Sequence, residues 1–261
     1  MPKKGLIEWL KLPQVRDIDN LDDPAVTLLH AEILRKKPFM RKLYADFYSQ
    51  FKNAVPQPEK KTLVELGSGG GFLKEIIPNV ITSDVLDLPS VDKVFSALDI
   101  PFEAGSVDAF FMFDVLHHIP DPRIFFAEAT RCLRQGGKII MIEPANTTWA
   151  RFINKNFHHE NFNPSAGWYL EKSGPLSAAN GALAWIIFVR DRKIFEKEFP
   201  ALKIVAIHNH TPLRYLLSGG FSLRQLAPSF AYSLIKVVEY IIAPANDWLG
   251  MFVTVELEKV G

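Results

Sequence analysis

The pattern of apolar and polar positions changes character twice along the chain. Before residue 61, apolar residues recur at helical spacing in "PAVTLLHAEILRKK" (24–37) and "FMRKLYADFYSQFKNAV" (39–55), with Pro38 between them. These predict two helices, read as a peripheral N-terminal cap over 1–60, with "VPQPEKK" (55–61) as a linker. From Thr62 short apolar runs alternate with helical stretches. "TLVEL", "NVITSD", "KVFSALD", "VDAFFMFDVL" and "GGKIIMIEP" read as five strands, while "GFLKEIIP" and "DPRIFFAEATRCLR" read as helices, the first ended by Pro78. Strands apolar on both faces and alternating with helices predict a parallel sheet covered by helices, with a ligand at the carboxyl ends of its strands.

After Pro144 the alternation stops. Residues 145–188 hold three of the five tryptophans (Trp149, Trp168, Trp185) among loop-like sequence. A helix "RDRKIFEKEF", a strand "ALKIVAIH", helical segments across 213–243 and a last strand "MFVTVELEKV" complete the chain. The organisation is therefore 1–60 cap, 61–144 binding core, 145–188 substrate-facing insertion or lid, and 189–261 the rest of the core fold.

The stretch "TLVELGSGGGFLKEIIP" (62–78) carries the first chemical signal, a strand ending in Glu65 followed by glycines at 67, 69 and 71. A P-loop needs a Gly-Lys-Ser/Thr ending, which is missing. A dinucleotide fingerprint needs glycine at its sixth position, where Phe72 stands. A carboxylate at the strand tip disfavours a pyrophosphate and favours a cation, so an ammonium or sulfonium fits the loop. Further carboxylates follow in order. Asp84 stands at the tip of the second strand, where it could accept from both hydroxyls of a ribose. Asp99 follows the third strand, where it could accept from an adenine amino group while the Ile100 amide donates to the ring.

With "FDVLHHIPDP" after the fourth strand and "CLRQGGKIIMIEP" leading into the fifth, these stretches resemble the class I, "type 11" S-adenosylmethionine-dependent methyltransferases. The resemblance covers residues 62–144 closely. It implies an α/β, Rossmann-like, seven-stranded and mostly parallel sheet in the order 3-2-1-4-5-7-6, flanked by helices, with N-terminal helices and an insertion after strand five. It implies S-adenosyl-L-methionine as cofactor, with Glu65, Gly67, Ser68, Gly69 and Gly71 at its methionine part, Asp84 at the ribose and Asp99 with Ile100 at the adenine. Asp114 would lie near the methyl group. Only about ten residues separate Asp84 from the strand near Val94, too few for the usual crossover helix, which leaves Val85 and Leu86 as candidates for the apolar wall of the adenine pocket. Two rival classes are a noncatalytic binder of the same fold and an NAD-dependent oxidoreductase, the latter opposed by Phe72 and Glu65.

Catalytic candidates are His117 and Asp114. An unperturbed imidazole titrates near 6.5 and suits a general base, and His118 is the weaker candidate beside it. No metal is expected, because the three adjacent residues of "HHE" (158–160) or "HNH" (208–210) cannot all point at one ion in an extended chain. The acceptor is expected to be a small organic or sugar-like molecule gripped by the insertion, with its aromatics and with Asn154, Asn156, His158, His159, Asn161 and Asn163.

Charge narrows the partners. With 30 Lys and Arg against 29 Asp and Glu, and no basic stripe, nucleic acid is not expected. The single Cys132 allows no intramolecular disulfide. "MPKKGLIEWLKLPQVRD" does not read as a signal peptide. The apolar tract "FAYSLIKVVEYIIAP" (230–244) is too short to span a bilayer comfortably, so a cytoplasmic protein is expected. A buried helical pair over 213–244 is expected in preference to a membrane-surface helix.

Overall fold

The computed structural model describes residues 9–16, 18, 20–157, 160–170, 174 and 177–261. The sheet has seven strands: β1 (Leu63–Leu66), β2 (Ile81–Asp84), β3 (Lys93–Val94), β4 (Val107–Phe113), β5 (Leu133–Pro144), β6 (Leu202–His210) and β7 (Phe252–Lys259). Their order is β3-β2-β1-β4-β5-β7-β6. All neighbours are parallel except β7, which runs antiparallel to both β5 and β6. The expected architecture and strand order are therefore present. The register sets Glu65 beside Thr82 and Phe111, so the tips of β1, β2 and β4 form one rim.

Several expectations are corrected. The N-terminal helices are not peripheral. α1 (Pro24–Lys36) leads into α2 (Pro38–Ala54), which Pro38 starts at its first turn, where a missing amide costs no hydrogen bond. α2 buries Phe39, Met40, Leu43, Tyr44, Phe47, Tyr48 and Phe51. Phe51 stacks on Phe111 at 5.0 Å, and Phe47 meets Phe113 at 5.1 Å and Phe252 at 5.2 Å. Each such burial contributes roughly 1.5–3 kcal/mol, so α2 is a main layer of the core.

The helix expected after the glycine loop is a single 3-10 turn, Leu73–Glu75. Pro78 limits the segment, and α2 already occupies the adjoining space: a β-carbon on Gly71 would lie 2.3 Å from the Tyr48 hydroxyl. The third strand is two residues long, and no helix joins it to β2, in keeping with the short spacing.

The 213–244 region is not a buried pair. α3 (Pro122–Cys132), α4 (Thr148–Phe157), α5 (Arg192–Glu198) and α6 (Arg214–Ser218) precede α7 (Tyr232–Ile241). α7 buries only Tyr232 and Glu239 and presents Leu234, Val237, Tyr240 and Ile241 outward, with Phe230 beside them 86% exposed. Tyr232 packs edge-on against Phe39 at 5.0 Å, and buried charge fixes the rest. Arg214 Nε pairs with Glu239, and Arg214 Nη1 donates to Asp46 Oδ2 at 2.5 Å and Tyr232 at 2.7 Å. Among the described residues, no helix is long and apolar enough to cross a membrane.

The insertion packs into the same core as the sheet, through Trp168, Leu183, Ile187 and Phe188. Trp168 is buried and donates from Nε1 to Asp191 at 2.9 Å, while the Arg123 guanidinium stacks 4.4 Å over its ring. Trp149 donates to the Pro212 carbonyl. His158 and His159 lie outside the described residues.

Candidate active site

The site is built at the carboxyl ends of β1, β2, β4 and β5. The chain leaves β1 through Gly67, whose φ of +64° favours glycine and whose missing β-carbon makes room for Val115, 2.5 Å from where that carbon would stand. The loop is held from both sides. Ser68 N donates to the Ser83 carbonyl at 2.8 Å, and Gly69 N donates to Asp84 Oδ2 at 2.9 Å. Asp84 Oδ1 also accepts from Leu86 N at 3.0 Å. α1 lies on the other side, with Ala31 backbone 2.7 Å from a β-carbon on Gly70 and the Thr27 methyl 3.7 Å from one on Gly69.

Two buried oxygens in this cradle have no hydrogen-bond partner, Glu65 Oε2 and Thr27 Oγ1. An unpartnered buried polar atom costs about 1–3 kcal/mol, and more for a charged one. Burial accordingly raises the Glu65 carboxyl to about 8, with Asp84 adding to the rise and Ser68 opposing it. A ligand ammonium at Glu65 would relieve that cost, so the cradle fits a cationic group. The adenine side fits less directly. Asp99 is exposed, Val85 is 49% exposed, and the Ile100 amide donates to Glu128 Oε2 of α3 at 3.2 Å instead of facing a pocket.

Asp114 leaves β4 with φ of +62°, uncommon for a residue that bears a β-carbon, while its amide donates to the Ile142 carbonyl at 2.9 Å. Behind it, Glu143 at the end of β5 organises the Leu116–His118 turn. Its Oε1 accepts from Val115 N and Leu116 N, and its Oε2 stands 2.7 Å from His117 Nδ1. Burial raises the Asp114 carboxyl to about 7; His117 pulls it down while Glu160 and Glu143 push it up. For His117, burial works against the charged form, but Glu143, with Glu160 and Asp114, carries its imidazolium well above the ordinary range. Burial lowers neighbouring His118 to about 4.

A cavity of about 30 Å³ opens beside Asp114, lined by Glu160, Asn154, Asn161, Tyr215 and Phe252 among others. It has room for one or two waters. The insertion closes it: Asn180 N donates to the His117 carbonyl, Leu170 N to that of Pro120, and Asn180 pairs with Asn163 through two hydrogen bonds.

The candidate residues thus fall into two neighbouring groups. Glu65, Gly67, Ser68, Gly69, Gly71 and Asp84 form the cradle. Asp114 lines the cavity with His117 buried behind it, Nδ1 3.9 Å from Asp114 Oδ1, next to the cradle through the contact of Val115 with Gly67. The sequence pattern does not single out Thr27, Glu143, Asn180 or Tyr215, and it offers Glu160 only within the "HHE" triplet. Glu143 had a signal, since it ends an apolar strand just as Glu65 does. The others are brought in by tertiary structure alone.

Residues 64–141 match the family model described as a methyltransferase domain. The seven-stranded sheet runs on beyond this match, to β7 at Phe252–Lys259. A chain of the complex of the Haloferax volcanii Trm112 methyltransferase activator superposes with a TM-score of 0.51 at 14% identity, covering 94% of this chain and 99% of its own. An S-adenosylmethionine-dependent methyltransferase from Mesorhizobium loti gives 0.47 at 12% identity, covering 81% and 96%. The geranyl diphosphate C-methyltransferase of Streptomyces coelicolor, in complex with Mg2+, geranyl diphosphate and S-adenosyl-L-homocysteine, gives 0.46 at 15% identity, covering 85% and 81%. In sequence, 59 residues are 41% identical to an uncharacterized 37.1 kDa protein of transposon TN4556 from Streptomyces fradiae; the match spans 22% of this chain and 17% of that protein.

Proposed function

We propose that the chain binds S-adenosyl-L-methionine in the cradle and transfers its methyl group to a small organic or sugar-like acceptor at the Asp114 cavity. The observation that carries this reading is Glu65 Oε2, a buried carboxylate oxygen without a partner beside a glycine loop of positive φ. When bound, the cofactor supplies a methyl group already activated by a sulfonium.

The protein's part is then to bind, to align and to exclude water. Glu65 and Thr27 hold the ammonium end, and the Gly67–Gly71 backbone lets the ligand approach. Asp84 reaches the ribose with the lone pairs that Gly69 and Leu86 leave free. Positioning of this kind can supply roughly 7–11 kcal/mol of a barrier. Of the two candidate bases, Asp114 is better poised at neutral pH. Its carboxyl is raised to about 7, whereas His117 is held as an imidazolium. His117 serves instead as a fixed positive charge beside the reacting centre. The carboxylates and amides at the cavity (Asp114, Glu160, Asn154 and Asn161) suit a hydroxyl- or amine-bearing acceptor, and Phe162, Met251 and Phe252 its apolar part; such an acceptor enters when the insertion opens.

Calorimetry with S-adenosylmethionine and tritium transfer from methyl-labelled cofactor to a panel of hydroxyl and amine acceptors tests the reading. Binding without transfer to any acceptor class would favour a binding protein. Absence of binding by the folded chain would sink the reading altogether.

A further inference from the structure

Two adjacent imidazoles meet a carboxylate from the insertion at the closed end of the cleft. His117 and His118 share one turn, with ring centroids 4.2 Å apart. Glu160 places Oε2 3.5 Å from His117 Nε2 and Oε1 4.0 Å from His118 Nε2. A ligand atom from each of the three residues lies within 4.8 Å of the other two.

The tautomers make this convergence informative. His118 Nδ1 lies 3.1 Å from the Ala178 carbonyl oxygen. A carbonyl only accepts, so Nδ1 carries the hydrogen and neutral His118 presents a bare lone pair at Nε2. That lone pair faces a carboxylate oxygen. His117 likewise turns Nδ1 to Glu143 at 2.7 Å and points its buried Nε2 at Glu160, 3.5 Å away. A metal ion taking the place of the His117 Nε2 proton would bring both ring nitrogens and the carboxylate onto one centre. In each ring the nitrogen turned away is held by a carbonyl or a carboxylate, the arrangement that orients metal-ligating histidines.

We propose that His117, His118 and Glu160 form a binding site for a divalent first-row transition-metal ion, zinc foremost. Two imidazoles with one carboxylate suit such an ion, whereas Mg2+ and Ca2+ prefer oxygen alone. A tetrahedral ion with bonds of about 2.0–2.1 Å spaces its ligands roughly 3.3 Å apart, so the observed separations close by small side-chain rotations. Three protein ligands leave a position open, as in catalytic metal sites, and Glu160 also lines the cavity. An acceptor oxygen held there would lose its proton more readily. That consequence rests on the methyltransferase reading; the ion's binding does not. The "HHE" triplet contributes only Glu160, joined by two histidines some forty residues earlier, so the objection to three adjacent ligands does not apply.

The full chain, free of any histidine tag and stripped with a chelator, is titrated with Zn2+ by calorimetry and with Co2+ by visible absorption. S-adenosylmethionine binding is measured on the same samples. The expected result is one ion per chain, cobalt d–d bands, and binding weakened by at least about tenfold in His118→Ala and in Glu160→Gln. Glu160 lines the cavity and His118 stands behind it, and circular dichroism checks that the variants fold. No ion bound by the stripped wild type, or equal affinity in both folded variants, overturns the site. Cofactor binding retained without metal binding removes the site alone; metal bound without cofactor removes only the functional reading.

Discussion

Asp84 Oδ2 accepts the Gly69 amide at 2.9 Å, so the carboxylate expected to hold a ribose also fixes the glycine loop. Its other oxygen takes the Leu86 amide. Asp84→Ala therefore removes a ligand contact and releases the loop together. S-adenosylmethionine binding should weaken by about 2 kcal/mol or more, and hydrogen exchange at the Gly69 amide should quicken in the free protein. Unchanged affinity in a folded variant would remove Asp84 from the site.

Glu65 gives a test that depends on pH. Its carboxyl is raised to about 8, so at neutral pH the free protein keeps it protonated. A bound ammonium favours the carboxylate, and binding should release a proton. Calorimetry in buffers of different ionisation enthalpy measures it, and Glu65→Gln should abolish it. The stability sign follows from the same shift. A folded pKa above the unfolded value of about 4.5 contributes stability below 4.5 that is lost as pH rises toward 8. Asp114, raised to about 7, and His117, raised above 6.5, act in the same direction over their own ranges. The free protein should melt at lower temperature at pH 8.5 than at pH 6. Glu65→Gln, neutral at every pH, should flatten part of that decline while binding cofactor less well.

Glu143 holds two amides and an imidazole at once, so its loss should cost more than a single contact. Breaking a buried charged network by removing one partner costs about 3–5 kcal/mol. Glu143→Ala should lower the melting temperature accordingly and reduce turnover, since the turn that carries His117 is no longer fixed. Wild-type stability in this variant would show that the turn is held by its own packing.

Between Thr62 and Pro144, strand positions, sheet order and the glycine cradle were legible because each rests on local pattern: apolar runs, a carboxylate at a strand tip, alternating glycines. What was not legible depends on distant contact. The apolar stripe of α2 predicts a helix, yet nothing in it tells that Phe47, Tyr48 and Phe51 cover the sheet where a helix after Gly71 was expected. α7 carries mixed apolar and charged residues, and only its ion pairs with Arg214 and Asp46 explain why its apolar face stays outside. Glu160 belongs to a triplet that reads as solvated until the insertion folds back onto His117.

Trp168 and Tyr169 are neighbours in the insertion with opposite surroundings, and they separate a packing role from a binding role. Both were candidates to cover the acceptor. Trp168 is 4% exposed, bonded to Asp191 and stacked under Arg123, whereas Tyr169 is 64% exposed. Trp168→Ala should therefore cost about 3–5 kcal/mol of stability, as emptying a large aromatic site does, and leave an Asp191 oxygen without its indole donor. Tyr169→Ala should shift the melting temperature little. Neither residue touches the glycine cradle, so S-adenosylmethionine affinity at a temperature where both variants are folded should stay within about threefold of wild type, under roughly 1 kcal/mol. Thermal melts and calorimetry on the pair decide the matter. A Trp168→Ala protein as stable as wild type, or a Tyr169→Ala protein that unfolds early, would mean that the insertion is held together by other contacts than these.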